Sequence, residues 1–243
     1  MSITCKNCGS EVIGKYCSDC GQAASTHRLN VKYIVNDIQL GVLAFDKGLF
    51  YTLKELFTRP GHTIRAFIKG KRVRHFKPLS LVILLATFYA LLVHFLGIEF
   101  IHGNSVSESE NLIDYPSLNE WLTQHYALVS LCLIPVFSMG SYIAFWKQGY
   151  NFIEHMVLNA YAASQRLVVH VMILPLLYAS YNSEIESLIS RALLFLNLIL
   201  VYWCYSQFFE KVSKVKSFLL TVLTGVFAYT VFMVVFILWY FLK

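Results

Sequence analysis

Charge is scarce in this sequence. Asp, Glu, Lys and Arg make up 14% of its 243 residues, where soluble domains carry about 25%. A globule bathed in water needs a charged surface, so that class is excluded for most of the chain. The scarcity is also uneven. Residues 98–122 hold five acids and no Lys or Arg, while residues 1–77 hold thirteen of the twenty basic residues. A nucleic-acid binder spreads cations over one folded face. Here they crowd one end, so the net charge of +6 gives no reason to expect nucleic acid as a partner. A phosphate-binding glycine loop, a nucleophile elbow and a paired-carboxylate motif are missing too, so the reading leans away from an enzyme and assigns no catalytic residue. The first residues are polar and cysteine-rich rather than the apolar core of a cleavable signal peptide. The first membrane helix is therefore expected to do the targeting.

Apolar side chains are abundant instead: 57% of the residues are hydrophobic and 16% aromatic, with a mean hydropathy of +0.57. The pattern turns on one junction, GKRVRHFKP followed by LSLVILLATFYALLVHFLG. About 20 apolar residues at 1.5 Å each span the ~30 Å hydrocarbon layer. The cations before Pro78 hold that end of the helix in the cytoplasm. Five spans are expected, at about 79–98, 125–146, 152–181, 188–208 and 217–241. Seventeen of twenty Lys and Arg then fall on the cytoplasmic side, all but Arg166, Arg191 and Lys243. The expected orientation is N-terminus cytoplasmic and C-terminus periplasmic. The second span is expected to kink at Pro135 between Trp121 and Trp146, and an acidic loop (Glu99, Glu108, Glu110, Asp114, Glu120) to lie outside.

Before the junction, residues 1–22 carry two Cys-x-x-Cys knuckles, Cys5/Cys8 and Cys17/Cys20, followed by Gly9 and Gly21. Four thiolates in two tight turns make the tetrahedral cage of a closed structural zinc site. With no room for an apolar core, the metal would supply the folding energy. Iron fits the same cage. A disulfide pair is poorly suited to a reducing cytoplasm, and a redox Cys-x-x-Cys lacks its βαβ context. Cys132 and Cys204, alone in apolar runs, read as small hydrophobes.

Residues 23–77 begin as a short polar linker and continue as amphipathic helices. The spacing places Val31, Ile34, Val35, Ile38 and Val42 on one face, then Leu49, Phe50, Leu53, Leu56 and Phe57, then Ile64, Phe67 and Ile68, with a break at Pro60-Gly61. Too short and too charged to span, these helices are expected in the headgroup plane, apolar side down; a small helical bundle packed on the membrane domain is the alternative. Arg59, Arg65, Lys69, Lys71, Arg72, Arg74 and Lys77 cluster where anionic headgroups lie and are candidate contacts to anionic lipid.

The third span is anomalous. His155, Asn159, Arg166 and His170 recur at intervals of four, seven and four residues, within about 60° of helical arc. Glu154 and Gln165 line a neighbouring face. An ionisable residue inside a membrane is a functional candidate by default. Three uses compete: hydrogen bonding between helices, with Arg166 reaching for the inner surface; a polar pocket or pathway for an anionic substrate or headgroup; and a metal or acid–base site at Glu154, His155 and a histidine from elsewhere in the chain. Glu210, at the inner end of the fourth span, is the nearest acid for Arg166 on another segment.

The ribbon CxxC…YCSDCGQ, with DKGLFYTLKELFTRPG, IKGKRVRHFKPLS and YNFIEHMVLNAY, resembles a family of bacterial membrane proteins of unknown function, DUF 3667. The resemblance implies placement in the bacterial cytoplasmic membrane and carries over no catalytic residue. The leading reading is an all-α, five-span membrane protein, residues 78–243, whose zinc ribbon and amphipathic helices recruit or sense a cytoplasmic protein partner. The alternative is a small transporter or lipid-handling protein using the third-span stripe.

Overall fold

The computed structural model describes residues 3–41, 48–98, 115–181 and 183–242. The acidic loop from Glu99 to Asp114, His102, Val42 and Lys243 lie outside them.

Five helices are long and apolar enough to cross a membrane: α4 (Pro78–Leu96), α5 (Tyr115–Ala144), α6 (Phe152–Ala179), α7 (Glu184–Phe208) and α8 (Lys214–Leu242). Their apolar windows fall where the hydropathy placed them. α5 begins about ten residues before the apolar run. α5 and α6 continue through Pro135 and Pro175. α6 packs on α4, α5 and α7, and α8 packs on α5 and α7.

Three short helices precede them: α1 (Val31–Gly41), α2 (Gly48–Thr58) and α3 (Pro60–Ile68). The apolar faces of α2 and α3 are turned to protein, as in the alternative of a helical bundle packed on the membrane domain. Leu56, Ile64 and Phe67 are buried with Val157, Tyr161 and Phe208 in one core, so the apolar faces of α2 and α3 are covered by α6 and α7. Phe50 and Phe57, grouped with that face by spacing, are exposed instead. Periodicity identifies an apolar face; it does not say whether lipid or protein covers it.

Two helix ends are completed by side chains from this layer. Asp37 of α1 accepts the Leu79 N–H at 3.2 Å and the Ser80 hydroxyl at 2.6 Å, supplying the cap that Lys77 lacks at the start of α4. Burial raises the Asp37 pKa, and the Ser80 and Leu79 bonds oppose that shift. At the end of α7, Arg65 donates to the carbonyls of Gln207 and Phe208 and to the Glu210 carboxylate. A cation closing a helix C-terminus satisfies its orphan carbonyls and its dipole together. Gly61 permits this approach, since a Cβ there would come within 2.3 Å of the Phe208 nitrogen.

The ribbon is a two-stranded sheet, β1 (Ile3–Thr4) paired antiparallel with β2 (Glu11–Val12), followed by a second knuckle. Residues 22–29 are less a free linker than a strap. Gln22 is buried and accepts the Arg72 N–H at 3.1 Å, Leu29 is buried, and Arg28 reaches Glu154.

Candidate functional site

The two knuckles repeat one geometry. The Gly9 N–H donates to the Cys5 carbonyl at 3.0 Å and the Gly21 N–H to the Cys17 carbonyl at 2.9 Å. Both glycines are left-handed, φ 86° and 73°, a conformation that other residues resist. The four Sγ atoms lie within 4.8 Å of one another, with Cys5–Cys20 at 3.6 Å and Cys8–Cys17 at 3.5 Å. That is far beyond a disulfide bond of about 2.05 Å and close to the edge, about 3.8 Å, of a tetrahedron with metal–sulfur bonds of about 2.3 Å. The N–H groups of Cys8 and Asn7 hold the Cys5 thiol below its ordinary pKa, and the Ser10 hydroxyl and N–H bring Cys8 down to about 6. The Cys20 and Asp19 N–H groups favour the Cys17 thiolate as well, but burial and the neighbouring Cys8 and Cys20 thiols push Cys17 up to about 11. Four sulfur donors at tetrahedral spacing fit a metal ion.

The seven basic residues separate into different roles. Arg65 is committed to the end of α7. Arg59 pairs with Glu55 at 2.6 Å, which lowers the Glu55 pKa. Arg72 lies under the ribbon, its guanidinium 5.1 Å from the Tyr33 ring and 5.6 Å from Phe67. Burial lowers its pKa, and it donates to the His27 carbonyl at 3.0 Å. Lys77 lies near Asp37. Lys69, Lys71 and Arg74 are exposed and make no ion pair among the described residues. Lys71 and Arg74, with Arg59, His62 and His75, wall a groove of about 630 Å³ whose other side is Asn7, Cys8, Asp19 and Cys20 of the ribbon.

The stripe on α6 breaks into three parts. At the ribbon end, Glu154 closes a capping box with Asn151, accepting its N–H at 2.8 Å, and takes two bonds from Arg28 at 2.7 and 2.8 Å. Next comes a fully buried network. His155 Nδ1 lies 2.9 Å from the Ser141 hydroxyl, which accepts from Asn159 at 3.0 Å. The Asn159 carbonyl oxygen accepts from Tyr205 at 2.6 Å. Gln165, on another face, donates to the Leu56 carbonyl at 2.8 Å. These bonds tie α5, α6, α7 and α2 together. The Glu154–His155 acid–base or metal site is not assembled, because the carboxylate faces Arg28 while the imidazole faces Ser141.

Arg166 is the third part. It sits at the middle of α6, and its Nε donates only a long bond, 3.4 Å, to the Ala162 carbonyl. Its guanidinium lies 5.5 Å from the Phe137 ring. Glu210 does not reach it, being held by Arg65; Glu154 is held by Arg28. No carboxylate pairs with Arg166 among the described residues. It opens instead on a cavity of about 130 Å³ between α5, α6 and α7, which it lines with Tyr126, Ser130, Asn159, His170 and Asn197. His170 and Asn197 are 3.0 Å apart, and the Asn197 side-chain oxygen is buried without a partner.

Sequence reasoning missed Ser141, Tyr205 and Asn197, which lie on other helices. Small polar residues within apolar spans were the available signal for all but the tyrosine.

One stretch, around Pro60-Gly61, is similar to a known family. Residues 46–90 match the model of a family described as Protein of unknown function (DUF3667). No curated protein and no solved structure matches the chain. The matched stretch covers α2, α3, the basic hinge and the first turns of α4. It therefore includes Arg65 and Gly61, which grip α7, and Lys71 and Arg74, which wall the groove.

Proposed function

We propose that this chain is a multipass membrane protein that binds an anionic group, a phosphate or a carboxylate, at Arg166 within its membrane domain. One observation carries the reading: a mid-span guanidinium faces a largely apolar cavity, walled also by Leu133, Ile134 and Leu167 with a few polar groups (Ser130, His170, Asn197) among them, and has no carboxylate partner among the described residues. Arginine keeps its charge at any accessible pH, and at the centre of a span it costs about 2.5–3.5 kcal/mol by insertion scales. Contact with Phe137 returns about 1–2 kcal/mol. An oxyanion held by the planar fork would offset the remainder. The cavity of about 130 Å³ equals about four waters at ~30 Å³ each, which suits a phosphate or carboxylate group and not a whole metabolite. The activity is binding or movement of that group, without chemistry on it.

The four-cysteine centre carries a structural zinc, which keeps the ribbon folded over the ends of α3 and α6. The membrane is the bacterial cytoplasmic membrane, with the ribbon in the cytoplasm; the distribution of Lys and Arg supports this orientation. The groove between ribbon and α2–α3 supports a second role, recruiting a cytoplasmic protein, because its two walls come from separate modules.

Native mass spectrometry of protein taken from phosphatidylglycerol-containing nanodiscs tests the main reading. Wild type retains anionic lipid or a small oxyanion. Arg166→Lys folds but retains about tenfold less, having lost the bidentate fork. An Arg166→Leu protein with wild-type melting and wild-type retention overturns it.

A further inference from the structure

A second pocket, remote from Arg166 and built from four separate stretches of chain, has an excess of fixed positive charge. Its volume is about 410 Å³, and Lys6, His27, Arg28 and Lys69 line it above a floor of Gly149 and Tyr150. We propose that this pocket binds a phosphate group through Lys6, Arg28 and Lys69.

Lys6 is placed there by two constraints. Its ammonium donates to the Thr26 carbonyl at 2.6 Å, which leaves two of its three N–H donors for another acceptor. Its aliphatic stem crosses Gly70, where a Cβ would sit 2.9 Å from Lys6 Cδ and φ is 106°. The ribbon thus carries a lysine to the edge of the hinge, and the hinge has a glycine where that lysine must pass. Lys69, the residue before that glycine, is exposed and makes no ion pair among the described residues. Arg28 spends two bonds on Glu154 and one on the Gly149 carbonyl at 3.1 Å, yet 62% of its side chain remains accessible.

The charges do not balance. Three cations share the pocket with one carboxylate, and Glu154 is already divided between Arg28 and the cap of α6. Like charges gathered by a folded scaffold raise the local potential and concentrate a counter-anion. A tetrahedral oxyanion can accept from two ammonium groups and a guanidinium at once. The floor residues immediately precede α6, so the pocket lies beside the first turn of a helix long and apolar enough to cross a membrane. The shared chemistry is a phosphate mono- or diester, and its source is either a lipid headgroup or a phosphorylated solute.

Two titrations of the full metal-loaded protein test this. The first adds glycerol phosphate to protein in neutral detergent; the second compares nanodiscs of phosphatidylcholine with nanodiscs containing about a third phosphatidylglycerol. Each lysine near the surface is worth about 1 kcal/mol, about fivefold in affinity. Lys69→Gln should weaken binding about fivefold, and Lys6→Gln with Lys69→Gln about 25-fold. Lys69 is exposed, so its single variant folds and decides the matter even where Lys6→Gln disturbs the ribbon. Binding confined to nanodiscs identifies a headgroup; binding of glycerol phosphate identifies a solute. An Arg166→Gln background separates this pocket from the membrane cavity, because binding here persists in it. The proposal is overturned if wild type binds neither probe, if Lys69→Gln binds like wild type, or if binding vanishes in the Arg166→Gln background.

Discussion

Arg28 holds Glu154 through two hydrogen bonds across 126 positions of sequence. The same carboxylate accepts the Asn151 N–H that opens α6. One buried side chain, 4% accessible, therefore joins the strap of the ribbon to the start of a membrane helix.

Removing the arginine leaves that carboxylate with its helix cap alone. A charge-assisted bond is worth about 1.5–3 kcal/mol, and the exposure of Arg28 reduces this toward about 1 kcal/mol. Arg28→Gln should lower the melting temperature by a few degrees and speed tryptic cleavage within residues 22–29. A double-mutant cycle with Glu154→Gln, which keeps the capping box, isolates the pair. A coupling energy near zero would show that the strap contributes nothing.

Gly61→Ala should be more damaging than its single methyl suggests. The added carbon meets the Phe208 nitrogen at 2.3 Å and the Gln207 Cβ at 2.4 Å, both on α7. Neither yields without moving α3 away from α7, so overpacking of about 1–3 kcal/mol is expected, together with loss of the Arg65 bonds. Thermal unfolding in detergent measures this. An unchanged melting temperature would mean that the α3–α7 contact is looser than described.

His75 gives the protein an acid-sensitive element outside the membrane spans. Burial lowers its pKa from 6.5, and its ring stands edge-on to Tyr51 and Phe67. The folded state therefore favours the neutral imidazole. This contribution is present above about pH 6.5 and is lost as pH falls from there through the depressed folded value. His75→Phe keeps a ring in place and removes the titration. Its melting temperature should fall less than that of wild type between pH 7.5 and 5.5; parallel profiles would rule His75 out as the cause.

Purified protein should carry one metal ion per chain, zinc by elemental analysis, and Cys17→Ser should lose it. Since the ribbon and its strap are tied to the rest of the chain through Gln22–Arg72 and Arg28–Glu154, chelation should also lower the melting temperature of the membrane domain while leaving it inserted. A chelated protein that melts as before would show the ribbon to be energetically separate.

The spans and the cysteine cage were legible because each is local: a run of apolar residues, or four thiols within sixteen positions. The stripe on α6 was legible only as a face. Its division among Arg28, Ser141 and Tyr205, and an open cavity, depends on which helices stand beside it. Periodicity within α6 holds no record of that. Glu210 illustrates the limit. Depth arguments brought it near Arg166, but Arg65, a hinge residue that read as a headgroup contact, had the shorter path. Arg28 lies in the stretch that reads as a polar linker, and its partner Glu154 lies 126 positions along the chain.

The grip on α7 has a mechanical consequence. Apart from Glu186, the buried residues of that helix (Leu200, Cys204, Tyr205 and Phe208) lie in its last nine positions, whereas Leu188, Leu194, Phe195 and Leu198 nearer its start are exposed. Arg65 clamps the rod at Gln207–Phe208, and Asn197 stands ten residues from that clamp, about 15 Å along the axis. The α2–α3 pair is thus the mount that sets where one wall of the Arg166 cavity stands.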